Sequence, residues 1–165
     1  KDSIGREWQL TTIQLDFQNP KKFNMTYQGP EKEEEPIMIH RALLGSLERF
    51  FGVLIEHYGG AFPVWMAPVQ LQIISVGEKH VDYCQKLKQE LLDLDLRPEI
   101  DIDNETVAKK IRKAVSQKVP YIVVIGDREL ESDQLSLRIR GQEEMESISR
   151  EDLIKRIIQE TKDMK

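Results

Sequence analysis

The stretch "PIMIHRALLGSLERF" at 36–50 gathers residue types that could do chemistry. An apolar strand ends in His40 and Arg41, turns at Gly45 and Ser46, and runs into a helix opened by Glu48 and Arg49. Two readings of His40 stand open. It is either a hydrogen-bonded structural imidazole or one ligand of a metal, and zinc needs three or more N, S or O ligands around one point. No CxxC or HxxxH spacing supplies them, so any co-ligands lie outside this chain. Arg49, in a first helical turn, opposes the macrodipole, which favours acids there. Something anionic must offset it: Glu48, an acid on a neighbouring strand, or a ligand phosphate. Ser46 reads as a helix N-cap.

The remaining candidates are plainer. His57, beside Glu56, reads as part of a solvated helix face, and His80, opening a later helix, as exposed. Cys84 lies on an apolar helical stripe and reads as core filling. As the single cysteine it makes no internal disulfide, which suits a reducing cytoplasm. No Gly-rich loop follows the strands of the second half, which argues against a Rossmann or P-loop site.

These residues need a folded frame, and a composition of 39% hydrophobic and 32% charged residues can build one. The net charge of −5 argues against bulk, sequence-blind binding to phosphate backbone, although a local patch can act inside an acidic protein. No apolar run of about 18 residues predicts a transmembrane helix. No apolar stretch follows Lys1, so no signal peptide is visible. The first residue is not Met, and a tryptophan-bearing strand begins by residue 8. The chain reads as the end of something longer.

Periodicity orders the elements. Residues 8–17 alternate as a strand, 18–22 read as a turn, and 23–27 as its antiparallel neighbour. A charged loop at 29–36 leads to the strand at 37–43 and to a helix marked by Leu47, Phe51, Leu54 and Tyr58, closed by Gly59 and Gly60. After a proline-bearing connection at 61–68, strands are expected at 69–76, 98–102, 120–126 and 134–139. Helices follow Val81, Cys84, Leu87, Leu91 and Leu94, then Val107, Ile111 and Val115 with Asp103 or Asn104 as cap, and finally Ser149 as cap. The continuous apolar run "PYIVVIG" predicts a strand buried on both faces. The order β, α, β, α, β, β, α predicts a three-layer α/β domain with a mainly parallel sheet. The antiparallel strands and helix before it cannot close a core alone.

Three segments, "GREWQLTTIQLDF", "PIMIHRALLGSLERFFGVLIEHYGGAFPVWMAP" and "VPYIVVIGDRE", together resemble the threonyl-tRNA synthetase family. The likeness covers nearly the whole chain, as the end of a class II catalytic core followed by an anticodon-binding domain. The pattern PxMIHRAxxGSxERF is specific: prolyl, histidyl and glycyl relatives share the α/β domain and the motif 3 arginine but lack the His-Arg-Ala. The boundary that the change of pattern sets near Ala67 separates the two parts as 1–66 and 67–165. The resemblance makes the strand and helix motif 3, with Arg49 packing on adenine and reaching the γ-phosphate of ATP, which enters with Mg²⁺. His40 becomes one ligand of a Cys/His/His zinc site that binds the amino and hydroxyl groups of threonine and so rejects valine. Gln9, Thr12 and Gln14 line the threonine and ATP pocket, with Ser46 at its edge.

In the second domain the resemblance puts Asn104, Arg112, Lys118, Glu129 and Arg138 on the surface that reads the anticodon of tRNA(Thr). Such a mixture of donors, acceptors and stacking groups suits base readout. Lys118 stands where the family is familiar with Arg, which keeps charge but loses stacking. Physics alone would read all five as solvated surface. Motifs 1 and 2, the other two zinc ligands and the editing region are not within these residues, so this piece alone is not expected to activate threonine. The full enzyme is expected to be a cytoplasmic homodimer. The alternatives are a noncatalytic tRNA-binding or regulatory module derived from such an enzyme, and a flavodoxin-like interaction domain.

Overall fold

The computed structural model describes residues 1–142 and 144–165. They form two compact units, Lys1–Tyr58 and Gly59–Lys165. The division falls ahead of the expected boundary at 66. Val64 packs into the core of the second unit, and the Trp65 N–H donates to the Lys165 carbonyl at 3.3 Å.

In the first unit, strand β1 (Thr12–Asp16) pairs antiparallel with β4 (Met38–Ala42), setting Gln14 opposite His40 and Leu15 opposite Ile39. Side chains alternate across a strand, so one face carries Thr12, Gln14, Asp16 and His40 and the other Ile13, Leu15 and Ile39. The expected neighbour at 23–27 is not the partner of β1. Instead β2 (Tyr27–Gln28) forms a separate ribbon with β3 (Glu33–Glu34), inside the segment expected to be loop. The turn expected at 18–22 is a one-turn helix, α1 (Asn19–Lys22). The Asp16 carboxylate accepts the N–H groups of Gln18 and Asn19, and Pro20 fits a first helical turn. Helix α2 (Leu47–Tyr58) has no buried residue.

The second unit is a five-stranded sheet in the order β6-β5-β7-β8-β9. Strands β5 (Leu71–Ser75), β6 (Pro98–Asp101) and β7 (Tyr121–Ile125) are parallel; β8 (Gln134–Ile139) and β9 (Met145–Ser149) run antiparallel. Helices α3 (Val81–Asp93) and α6 (Arg150–Lys162) cover one face, where Cys84, Leu87, Leu153 and Ile157 meet Ile73, Val123 and Leu137. Helix α4 (Val107–Ser116) covers the other, where Ala114 meets Ile74 and Ile122. This is the expected three-layer α/β fold, and the run at 121–125 is apolar because both its faces are covered.

Two elements escaped the periodicity. β9 buries only Ile148 among "MESIS", and the short helix α5 (Asp127–Glu131) is almost wholly charged. The cap of α4 is Thr106, whose hydroxyl accepts the Lys109 N–H at 3.4 Å, rather than Asp103 or Asn104. Ser149 caps α6 as expected, accepting the Asp152 N–H at 3.1 Å.

His80 is buried, not exposed: 2% of its surface reaches solvent. Its Nδ1 accepts the Gly77 N–H at 3.1 Å, which leaves Nε2 to donate to Asp127 at 3.1 Å. The imidazole thereby joins the loops that follow β5 and β7. Cys84 is fully buried, and burial pushes its thiol up to about 11. Among the described residues no helix is long and apolar enough to cross a membrane.

Candidate functional site

Two sets of residues are positioned here, one in each unit. In the first, Gly45 has φ +66°, and a Cβ there would sit 3.3 Å from the Leu10 carbonyl. Glycine therefore meets both needs at the corner, the left-handed backbone and the close approach to the incoming strand. Ser46 follows, its hydroxyl accepting the Arg49 N–H at 3.2 Å, so it does cap α2.

The Arg49 guanidinium folds back to donate to the Gln9 carbonyl at 3.3 Å and lies 5.8 Å from the Trp8 ring centre. Arg6 approaches the same ring at 5.5 Å. The ring is held by its own N–H, which donates to the buried Asp2 carboxylate at 2.9 Å. Trp8 was not among the residues singled out from sequence. An aromatic one position before Gln9 was the available signal, because Arg pairs well with an indole face. Glu48, the offered counter-charge, makes no ion pair with Arg49 among the described residues. The Gln9 amide donates to Thr12 Oγ1 at 2.7 Å, so Gln9, Thr12, Ser46 and Arg49 are linked around one corner.

Gln14 and His40 stand opposite each other on the polar face of the ribbon. His40 is about half exposed, and its Nε2 lies 2.9 Å from Asp16 Oδ2. The Asp16 carboxyl is pushed down to about 2, first by the Asn19 N–H, then by the His40 contact and the Gln18 N–H. A carboxylate that holds one imidazole nitrogen leaves the other for a further partner, which is the usual support of a metal-bound histidine. Among the described residues no three His, Cys, Asp or Glu side chains converge to hold a metal. His40, with Asp16 behind it, therefore offers one imidazole nitrogen and fits a single ligand of a zinc site.

In the second unit, α4 lies over β5 and β7, and the same sheet face continues onto β8 as Ser136 and Arg138. Glu129, on α5, is tied to this face: its carboxylate accepts from Ser136 Oγ at 2.6 Å and from the Gly126 N–H at 3.0 Å. Burial alone would raise its carboxyl, but these two hydrogen bonds, together with its own backbone N–H and the Arg128 charge, outweigh that and hold it below the usual range. A carboxylate has about four acceptor positions, so the pair leaves capacity for a ligand.

Asn104 is exposed in the loop between β6 and α4, and Arg112 is exposed on α4. Asn104 and Glu129 thus follow the C-terminal ends of parallel strands, where open α/β sheets bind ligands. Arg138 lies two residues beyond Ser136 on the same face. Lys118 lies toward the other end of the sheet, and Arg138, opposite Ile122, is also nearer that end. Lys118 precedes the N-terminal end of β7, roughly 17 Å along five residues of strand from the Glu129 end, and its ammonium donates to the Gly59 carbonyl. Ser136, which fixes Glu129, went unnoticed in the sequence because a lone serine in a strand carries no pattern.

The comparisons with known proteins divide the chain in the same way. Residues 1–58 match the class II tRNA synthetase core domain (G, H, P, S and T), and residues 70–160 match the anticodon-binding domain. The threonine–tRNA ligase of Caldanaerobacter subterraneus subsp. tengcongensis is 48% identical over 97% of this chain. The chain belongs to the threonyl-tRNA synthetase family. The Thermotoga maritima threonine–tRNA ligase is 50% identical over 93% of the chain. The chain spans about a quarter of the length of these curated relatives, matching their C-terminal part. Among solved structures, the RNA-binding domain of the Cryptosporidium parvum threonyl-tRNA synthetase superposes with a TM-score of 0.81 at 35% identity. That superposition covers 96% of this chain and 40% of that one.

Proposed function

We propose that this chain is the C-terminal part of a threonine–tRNA ligase, supplying one wall of the aminoacylation site and the anticodon reader. In the parent enzyme the threonine carboxylate attacks the α-phosphate of ATP, which enters with Mg²⁺, so that pyrophosphate leaves and threonyl-adenylate forms. The threonyl group then passes to the 3′-terminal adenosine of tRNA(Thr), and AMP leaves. The enzyme works in the cytoplasm as a homodimer. The observation that carries the reading is the linked corner of Gln9, Thr12, Ser46 and Arg49 in the same chain as an anticodon-binding domain.

Each role follows from chemistry. Arg49, planar and permanently charged, stacks on adenine and contacts the γ-phosphate. Its backbone tie to Ser46 and side-chain tie to Gln9 hold the guanidinium against the corner before ATP arrives. Gln9, Thr12 and Gln14 line the threonine and ATP pocket. His40 would hold zinc through the ring nitrogen that Asp16 leaves available. Zinc, when bound, supplies a coordination position that the threonine hydroxyl fills and a valine methyl cannot. Asn104, Arg112, Lys118, Glu129 and Arg138 read the anticodon.

Threonine-dependent pyrophosphate exchange tests the reading. The 165-residue chain alone should give none, because no residue within it is assigned to the α-phosphate. In the parent polypeptide, Arg49→Ala should slow exchange with zinc content unchanged, and His40→Ala should lower zinc content and threonine affinity while tRNA binding persists. Full zinc occupancy in the His40→Ala enzyme would return His40 to a structural imidazole. Exchange by the isolated chain would overturn the division of labour.

A further inference from the structure

One buried charge has no part in these roles. Lys110 sits on the sheet-facing side of α4 with 2% of its surface exposed, in line with the apolar Val107, Ile111 and Ala114. Its ammonium donates to the Ser75 carbonyl at 3.0 Å and to the Asp101 carbonyl at 3.3 Å, and lies 4.0 Å from the Asp101 carboxylate. Those carbonyls end two adjacent parallel strands. β5 and β6 pair as far as Ile74 and Asp101, while Ser75 continues alongside Ile125 of β7. The Lys110 ammonium therefore fills the fork where β5 and β6 part.

Packing alone does not call for a charge there. An ammonium taken out of water is costly unless paired, and a buried ion pair is often no more stabilising than well-packed apolar groups. What the ammonium gains is a fixed geometry for the chain beyond Asp101. The Asp101 carboxylate accepts the Asp103 N–H at 3.1 Å, and Lys113 reaches both Asp101 at 3.7 Å and Asp103 at 3.3 Å. The Glu105 N–H closes onto the Asp103 carbonyl at 2.8 Å, and Thr106 caps α4. Asn104 stands in the middle of this stitched loop, exposed, its amide without a partner among the described residues.

We infer that Lys110 is a positioning residue for base recognition, anchoring the β6–α4 loop from below so that Asn104 presents its amide to a nucleobase in one orientation. The inference rests on the reading of this domain as the anticodon reader. A single-stranded base is read by edge hydrogen bonds from a few fixed side chains, so a loop that rocks loses discrimination before it loses general affinity. The buried ammonium acts through Asn104 and does not itself touch RNA.

The test uses the 165-residue chain and labelled stem-loops carrying either the threonine anticodon or a swapped one, titrated at fixed salt. Lys110→Met should lower affinity for the cognate stem-loop about tenfold, leave affinity for the swapped one nearly unchanged, and keep a cooperative unfolding transition. Combined with Asn104→Ala, it should add nothing to the loss that Asn104→Ala causes alone, because both remove the same contact. A merely structural role would weaken both stem-loops alike and add to Asn104→Ala. If the Met chain does not fold, Lys110→Gln, one atom shorter and uncharged, carries the same expectation. Full discrimination in a folded Lys110 variant, with loss in Asn104→Ala, overturns the positioning role and leaves the anticodon reading standing. Full discrimination in Asn104→Ala removes Asn104 as a reader, and the Lys110 role falls with it. A wild-type chain that does not discriminate at all overturns the anticodon reading itself.

Discussion

The two units follow the same alternation rules yet end in opposite states. In Gly59–Lys165, strands and helices close on each other, and Ile73, Val123, Ile125, Leu137 and Ile157 have no exposed surface. In Lys1–Tyr58, the apolar row on β1 and β4 remains open: Ile13, Leu15 and Ile39 are each about three-fifths exposed or more. Helix α2 likewise leaves Leu47, Phe51 and Ile55 more than half exposed. Short antiparallel strands and one long helix cannot close a core alone, as the sequence led one to expect. The polar face of the β1–β4 ribbon nonetheless carries Thr12, Gln14 and His40 in register. The contrast teaches that local pairing can set polar side chains in register on one face of a ribbon while its apolar face stays open.

Core truncation gives the largest test of this contrast. Leu137→Ala, at a fully buried position, should cost about 2–5 kcal/mol. Leu15→Ala, on the open face, should change stability by no more than about 0.5 kcal/mol. The chain has two tryptophans, Trp8 in the first unit and Trp65 in the second, so single-tryptophan variants report each unit separately in urea. Trp8 should respond at lower urea than Trp65. Equal losses at the two leucines, or coincident transitions, would break the comparison.

Function should be confined as sharply as stability. Arg138→Ala or Glu129→Ala should cost about 1–3 kcal/mol in cognate stem-loop binding and erase most discrimination between anticodons. Lys162→Ala, at the exposed end of α6, should change little. The binding being dissected should be weak, because a chain of net charge −5 gains little from counterion release. Uniform losses for cognate and swapped stem-loops would point to charge rather than base readout. A smaller effect is expected at the helix caps: Ser149→Ala should lower stability by about 1 kcal/mol, read through Trp65.

The smallest effect belongs to the ribbon and is a matter of pH. The Asp16 carboxyl titrates at about 2 in the folded chain, below an unfolded value of about 3.9. Its contribution is therefore complete above the unfolded value and is lost as pH falls through the folded one. Carbon-detected NMR of the Asp16 carboxyl should place its midpoint near 2, and His40 ring signals should shift in the same window. A midpoint near the unfolded value would mean that Asp16 does not hold His40 or cap α1 in solution.

Much of this arrangement is legible in the sequence. The spacing of Gly45, Ser46 and Arg49 announced the corner, "PYIVVIG" the central strand, and Ser149 the last helix. These features are local: periodicity, turn chemistry and capping act over a few residues, and the sequence states them directly. The strand that pairs with β1, the choice of Thr106 over Asp103 and Asn104 as cap, and the burial of His80 and Lys110 were settled only by the tertiary fold. His80 meets Asp127 across 47 positions, and Lys110 meets Ser75 across 35. A histidine or lysine in a linear pattern looks solvated because water is its default partner. Only a fold that brings a carboxylate or strand-end carbonyls to its charged or polar atom makes burial the lower-energy state.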